Sequence, residues 1–286
     1  MIPWGSLVIF ITPRGKRALK RLTPGEDWHT TDGIVAAELV HQSNFGDEIK
    51  THTLVPILLE EATLFDRLQG IKRQTQIIYP KDIAQICVHL GAGSDRTIIE
   101  AGCGSGALTC ALSYFAGPTG RVISHDAREE FVNLARRNLR WAGLGENVEL
   151  HVKDIAEGFC AENADALFLD VRTPWCYIDQ ALAAVRPGAT LGFLLPTIDQ
   201  VHELLLTLET KAVAHITVSE LFERQWKPLA DRLRPQDRMI AHTGFLIFCR
   251  HQVVSEDFLA RNPKGTRERK QEAARRERLG LDTNDV

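Results

Sequence analysis

The sequence predicts a doubly wound α/β protein: a mostly parallel seven-stranded sheet preceded by a small β-rich module. Three observations carry this. Between residues 76 and 253, seven short apolar runs alternate with stretches of amphipathic helical period. Four successive runs finish in an acidic residue at or near the end where ligands bind in open α/β sheets. Before residue 70 the apolar stretches are short and separated by turn residues.

In chain order, residues 1–75 carry SLVIFIT, GIVAAELV and THTLVPILL, with TPRGK, TPGED and SNFGDE as turn chemistry between them. That is the expected β-rich module. Residues 76–253 supply strands at RTIIEA, RVISHD, VELHVKD, ALFLDV, ATLGFLLP, AHITVSEL and GFLIFCR, with helical patterns at 81–91, 106–115, 128–142, 176–185 and 198–210. Strands and helices alternating at this length imply a parallel sheet with helices on both faces. From residue 254 to 286 the pattern collapses. Residues 264–278 are dominated by Lys, Arg and Glu, with Ala273 and Ala274 as the apolar positions, so no face can be buried there. A solvated helix or a disordered, solubilising tail is expected; a phosphate contact is the alternative.

Composition excludes several classes. The chain of 286 residues is 44% hydrophobic and 25% charged, enough apolar material to bury a core. No run approaches the length of a membrane span. The apolar start MIPWGSLVIFIT precedes its basic cluster (Arg14, Lys16, Arg17), the reverse of a secretory signal, so a cytoplasmic protein is expected. The six cysteines show neither CxxC pairing nor metal-ligand spacing, which favours reduced thiols and no metal. A net charge of −3 neither requires nor forbids nucleic acid, because binding needs a local basic patch.

The chemistry begins at EAGCGSGALT, residues 100–109. Three glycines (Gly102, Gly104, Gly106) lie between the end of a strand and the start of a helix. Glycines there let the backbone turn tightly and approach a ligand, and the helix N-terminus offers unpaired N–H groups. The spacing is GxGxG, not the GxGxxG of dinucleotide sites. Asp126 ends the next strand at a distance suited to ribose hydroxyls, Asp154 follows the third strand and Asp170 the fourth. A single acid could merely cap a strand facing solvent. Glu100, Asp126, Asp154 and Asp170 in register point to a ligand instead.

These runs resemble the class I S-adenosylmethionine-dependent methyltransferases. More narrowly, the chain is similar to the tRNA adenine-N1 methyltransferases that modify position 58 in the T-loop. QTQIIYPKD (74–82), ISHDAREEF (123–131), LDVRTPW (169–175), LPTIDQV (195–201) and RPQDRMIAHTGFL (234–246) carry the resemblance together with the glycine loop. It covers roughly residues 28–250, and WHTTDG resembles the family's HTHxG start. The resemblance implies a Rossmann-like methyltransferase sheet, S-adenosylmethionine as cofactor with S-adenosylhomocysteine as product, tRNA as substrate and a homotetramer.

Carried over residue by residue, Gly102, Gly104, Ser105, Gly106 and Ala107 would cradle the methionine part of the cofactor, Asp126 its ribose and Asp154 its adenine. Asp170 would face both the donor and the target base. Tyr79, set in extended backbone by Pro80, would lie against the flipped adenine; a packed core tyrosine is its alternative. Arg234 and Arg238 are candidate phosphate contacts, His242 and Trp175 shaping residues on the RNA side. Two positions depart from the family pattern. Arg172 replaces the first proline of Asp-x-Pro-x-Pro-Trp, which should loosen the loop. The strand end Phe193-Leu194-Leu195-Pro196 lacks a tyrosine that some relatives place near the base. Two other functions remain open to the sequence: a non-catalytic tRNA-binding subunit, and a methyltransferase acting on a small molecule or protein.

Overall fold

The structure, a computed structural model, describes residues 1–74 and 77–253. The expected boundary at 75/76 and the charged tail at 254–286 lie outside the described residues.

All seven expected strands of the large sheet form: β1 (Thr97–Ala101), β2 (Arg121–Asp126), β3 (Val148–Val152), β4 (Ala164–Leu169), β5 (Val185–Leu195), β6 (Val213–Ser219) and β7 (Phe245–His251). Their order is β6-β7-β5-β4-β1-β2-β3. Strands β3-β2-β1-β4-β5 run parallel, and β7 inserts antiparallel between β5 and β6. The strand order reverses between β1 and β4, so the loops leaving these two strands border the crevice where ligands bind in such sheets.

Central strands read as near-continuous apolar runs because both of their faces are covered. Successive residues serve opposite sides. Ile98, Phe168 and Phe248 pack into the layer containing α1 (Pro80–Leu90) and α2 (Ala107–Ala116). Ile99, Leu167, Phe193 and Ile247 pack into the layer of α4 (Ile178–Ala184) and α5 (Ile198–Leu208). In the first of these layers, α3 (Glu129–Ala142) lies against α2 and against β2 and β3. Phe168 and Phe193 are among the largest fully buried side chains. Burying each contributes about 1.5–3 kcal/mol over leaving it in water.

The N-terminal module is a four-stranded antiparallel sheet in the order Arg17–Arg21, Leu7–Ile11, Pro56–Glu61, Glu48–Lys50. One expectation fails here. GIVAAELV is a strand only over Gly33–Val35, and Ala37–Gln42 is helical. The module and the large sheet fall within one compact unit, Met1–His251. Guanidinium groups join them: Arg21 donates to the carbonyls of Arg140 (2.9 Å) and Trp141, and Arg67 to that of Ala142. These are the last carbonyls of α3, which lack partners within the helix and face its negative pole, so cations there are favoured.

Candidate active site

The glycine loop is shaped by what crosses it. Gly102 has φ 90°, and a Cβ there would collide with the carbonyl oxygen of Asp170. Gly106 has φ 80°, and a Cβ would lie 3.0 Å from Ala135 of α3. Neither position admits a side chain without displacing its neighbour. The loop is anchored by the N–H groups of Gly102 and Cys103, which donate to the His125 carbonyl at 2.9 and 3.2 Å. Buried Asn138 of α3 donates to the carbonyl of Ser105 at 2.8 Å and to that of Lys72 at 2.8 Å, so the loop is also fastened to the chain entering from the module.

Three carboxyl groups surround this loop. Glu100 is 2% exposed and accepts hydrogen bonds from Thr109 and Ser124, both at 2.6 Å. Burial raises its pKa against the effect of those hydroxyls. Asp126 accepts from the Gly104 N–H at 3.2 Å and the Arg128 N–H at 3.1 Å. Asp170 follows β4, its N–H donating to the Ala101 carbonyl at 2.9 Å. Burial, reinforced by the charges of Glu100 and Asp126, pushes the Asp170 carboxyl up to about 7. Such a cluster has excess negative potential and favours a cationic ligand.

Two adjoining hollows divide the expected roles. One, of about 250 Å³, is lined by Gly102, Asp126, Asp154, Asp170 and Arg172 among others. The other, a cleft of about 20 Å³, is lined by Gly102, Gly104, Ser105, Ala107, Glu100, Asp170 and Ile77. Gly106 supports this loop from behind. Asp154 also caps a short 3₁₀ turn, accepting from the Ala156 N–H at 2.9 Å, so it serves the capping role as well as lining the pocket. The floor includes His125, buried and neutral: burial lowers its pKa to about 4. Its Nδ1–H meets the Glu100 carbonyl at 3.1 Å, and its Nε2 accepts the Cys160 N–H at 3.1 Å. Arg172, the departure from the family pattern, lines the larger hollow. Its carbonyl accepts from Gln200 at 3.0 Å, and Pro174 opens a 3₁₀ turn immediately after it.

On the other side of Ile77 lies a cavity of about 830 Å³. Tyr79, Lys81 and Arg73 line one part of it, and Arg238, Met239 and Gln236 another. Tyr79 is the residue before α1, and its carbonyl accepts the N–H groups of Asp82 and Ile83, both at 2.9 Å. Of the other expected RNA contacts, Arg238 joins Tyr79 in this cavity. Arg234 stands on a small ribbon and approaches Asp237 at 4.0 Å. His242 is occupied: one ring nitrogen meets Glu220 at 2.6 Å and the other the Pro196 carbonyl at 2.8 Å. The Glu220 contact is the main cause of its raised pKa.

Sequence reasoning passed over a buried group beside Tyr79. Lys81 donates to Asp82 (2.8 Å), to the Leu221 carbonyl (2.9 Å) and to Thr243 (2.6 Å). Its side chains, Lys81, Asp82 and Thr243, lie within YPKD and HTG, two of the motifs already singled out, but nothing local pairs them. Among the described residues no group of three or more His, Cys, Asp or Glu could hold a metal ion. All six cysteines are free, and burial pushes the thiols of Cys87, Cys110 and Cys249 up to about 12.

A glycine loop and a cluster of carboxyl groups at the switch point of this seven-stranded sheet, with a separate cavity beside them, are the arrangement of a methyltransferase. Solved structures agree. A SAM-dependent O-methyltransferase from Thermotoga maritima superposes with a TM-score of 0.80 at 37% identity, covering 89% of this chain and 96% of that one. The tRNA (m1A58) methyltransferase TrmI from Aquifex aeolicus gives 0.74 at 33% identity, covering 88% and 99%. The model of the family described as tRNA methyltransferase complex GCD14 subunit matches residues 67–242. The chain belongs to this tRNA methyltransferase family. It is also 32% identical over 268 residues to the tRNA (adenine(57)-N(1)/adenine(58)-N(1))-methyltransferase TrmI of Methanocaldococcus jannaschii, covering 85% of this chain and 94% of that protein.

Proposed function

We infer that the protein is a tRNA (adenine(58)-N(1))-methyltransferase that uses S-adenosylmethionine. The observation that carries this is the position of Asp170, between the glycine-loop pocket and Ile77, which borders the cavity holding Tyr79.

The residues present fit the cofactor. The cluster of acids suits a sulfonium and an ammonium, and the loop around Gly102 and Gly104 leaves backbone where a carboxylate can approach. Asp126 would hold the ribose hydroxyls and Asp154 the adenine. When bound, S-adenosylmethionine supplies an electrophilic methyl group. The protein must therefore align more than activate. Fixing adenine N1 on the line of attack removes several kcal/mol from the barrier by making the step effectively unimolecular.

N1 lies on the pairing edge, so the adenine must leave its stack to be reached. Tyr79 would stack on it, offsetting about 1–3 kcal/mol of that expense. The ionised Asp170 carboxylate would accept a hydrogen bond from the N6 amino group. That stabilises the positive charge growing on the ring, and Asp170 can take up the amino proton afterwards. Arg73 and Arg238 border the cavity and suit the flanking phosphates; Arg234 lies farther along the same segment. We further propose that the protein acts in the cytoplasm as a homotetramer, with basic grooves completed by neighbouring subunits. Among the described residues no helix is long and apolar enough to cross a membrane.

The test is methyl transfer from labelled S-adenosylmethionine to an unmodified tRNA transcript, with the product mapped by mass spectrometry. Wild type should give 1-methyladenosine in the T-loop, and Asp170→Ala should lose at least about tenfold in rate (~1.4 kcal/mol). Tight tRNA binding without transfer would make the chain a binding subunit. Methylation at a hydroxyl oxygen would assign it the O-transfer activity ascribed to the Thermotoga protein.

A further inference from the structure

The 830 Å³ cavity has two walls from distant parts of the chain. One is built by residues within 65–73 and 77–81, leading into α1, the other by residues within 223–225 and 236–240. Neither wall belongs to the large sheet, and the second flanks a two-residue ribbon, Trp226–Lys227 against Arg234–Pro235. Its side chains are largely exposed, so apolar burial alone does not fix its position. A cavity that must fit a flat base needs its walls held at one separation.

The buried group beside Tyr79 does this. The ammonium of Lys81 has three protons and three acceptors: Asp82 Oδ1 at 2.8 Å, the Leu221 carbonyl at 2.9 Å and Thr243 Oγ1 at 2.6 Å. The Thr243 hydroxyl in turn donates to Asp82 Oδ2 at 2.7 Å. Lys81 is 9% exposed and Asp82 1%. Leu221 and Thr243 flank the second wall on both sides in sequence, and Lys81 and Asp82 adjoin the Tyr79 turn. A three-proton cation with every proton assigned ties both ends of one wall to the root of the other.

A buried ion pair is a poor source of stability, because desolvation opposes the attraction between the charges; apolar residues of similar volume often serve the fold as well or better. Its value is geometric, since it is satisfied in one arrangement only. Gly244, next to Thr243, is pressed against Leu194 and the Leu195 carbonyl. The second wall is therefore also seated on the end of β5.

We propose that Lys81, Asp82 and Thr243 form a brace that sets the width of the target-base cavity, with Lys81 and Thr243 as positioning residues for RNA recognition. This rests on the reading of that cavity as the adenine site. The brace does not touch the cofactor pocket, whose lining shares no residue with it. Its loss should raise KM for tRNA and leave cofactor affinity alone.

Thr243→Val removes the hydroxyl at nearly constant volume, and Thr243→Ser restores it. Steady-state kinetics on a tRNA transcript, filter binding of the transcript and calorimetric titration with S-adenosylhomocysteine are measured for both, beside wild type and Lys81→Met. Thr243→Val should raise KM for tRNA at least tenfold with kcat changed less, Thr243→Ser should stay within about threefold of wild type, and the cofactor dissociation constant should hold within twofold throughout. The proposal is overturned if Thr243→Val keeps the wild-type KM, or if cofactor and tRNA affinity fall together with the melting temperature. Lys81→Met can fail to fold without affecting this decision, because the Thr243 pair decides it. If wild type makes no 1-methyladenosine, the functional reading fails separately, and transcript binding by the Thr243 pair still reports on the brace.

Discussion

The N–H of Asp170 donates to the carbonyl of Ala101 at 2.9 Å, and the carbonyl of Asp170 fills the space that a side chain on Gly102 would need. The two loops at the switch point are thus one mechanical unit. Displacing the glycine loop displaces Asp170.

Gly102→Ala should consequently damage both functions of the loop. The alanine would need φ 90° and would collide with Asp170. Cofactor affinity should fall at least tenfold (~1.4 kcal/mol) by calorimetric titration, with kcat reduced as well. A variant that binds S-adenosylhomocysteine normally would mean the loop yields more than its packing indicates.

The elevated pKa of Asp170 gives a pH dependence with a defined sign. Its carboxyl titrates near 7 in the free protein because of burial and the charges of Glu100 and Asp126. Below that pH it carries a proton, so it is a weaker acceptor for the adenine amino group, has no charge to stabilise the ring and cannot take up the amino proton. kcat/KM, which reports the free enzyme, should rise from pH 6 to 8 and level off above. A bound cation would lower the midpoint, leaving kcat flatter over the same range. Asp170→Asn should be nearly inactive at every pH, and a flat wild-type kcat/KM would remove Asp170 from this role.

The same shift has the opposite sign for stability. The folded state holds the Asp170 proton more tightly than the unfolded chain, whose carboxyl titrates near 3.9. Its contribution is complete below about pH 4 and is lost as pH rises through about 7. Asp170→Asn should therefore melt higher than wild type at pH 8, with the difference shrinking toward pH 4. Thermal denaturation at several pH values checks this, and equal melting at pH 8 would contradict it.

Tyr79 is expected to act through its ring. Tyr79→Phe should retain most activity, whereas Tyr79→Ala should weaken tRNA recognition by about 1–3 kcal/mol, read as KM or as transcript binding. Phe168→Ala addresses the core instead. Phe168 is fully buried between β4 and the α1–α2 layer, so its truncation should destabilise the fold by about 3–5 kcal/mol in denaturant titration.

The large sheet was readable in the sequence because its central strands are buried on both faces and leave continuous apolar runs such as Ala166–Leu169. Asp170 was readable for the same reason, as the first polar residue after such a run. The module was read less well. Arg17–Arg21 is a strand whose sequence RALKR is mostly basic, since it lies at the sheet edge and is largely solvent-facing. The helix at Ala37–Gln42 has no side-chain cap at Ala36, so no start signal marks it. Lys81 and Asp82 look like ordinary solvated residues in the first turn of a helix. Only their meeting with Thr243, 161 and more positions away, buries them.

The hollow lined by Asp126 and Asp154 has no lining residue in common with the cavity beside Tyr79, and Ile77 lines both that cavity and the smaller glycine-loop cleft. On the proposed assignment each reactant has its own berth. Order of addition should be free: initial-rate patterns should intersect, and S-adenosylhomocysteine should be able to exchange while the methylated tRNA is still held. One protein copy could then renew its donor without releasing the RNA, which is what modifying two neighbouring adenines in a single encounter would require.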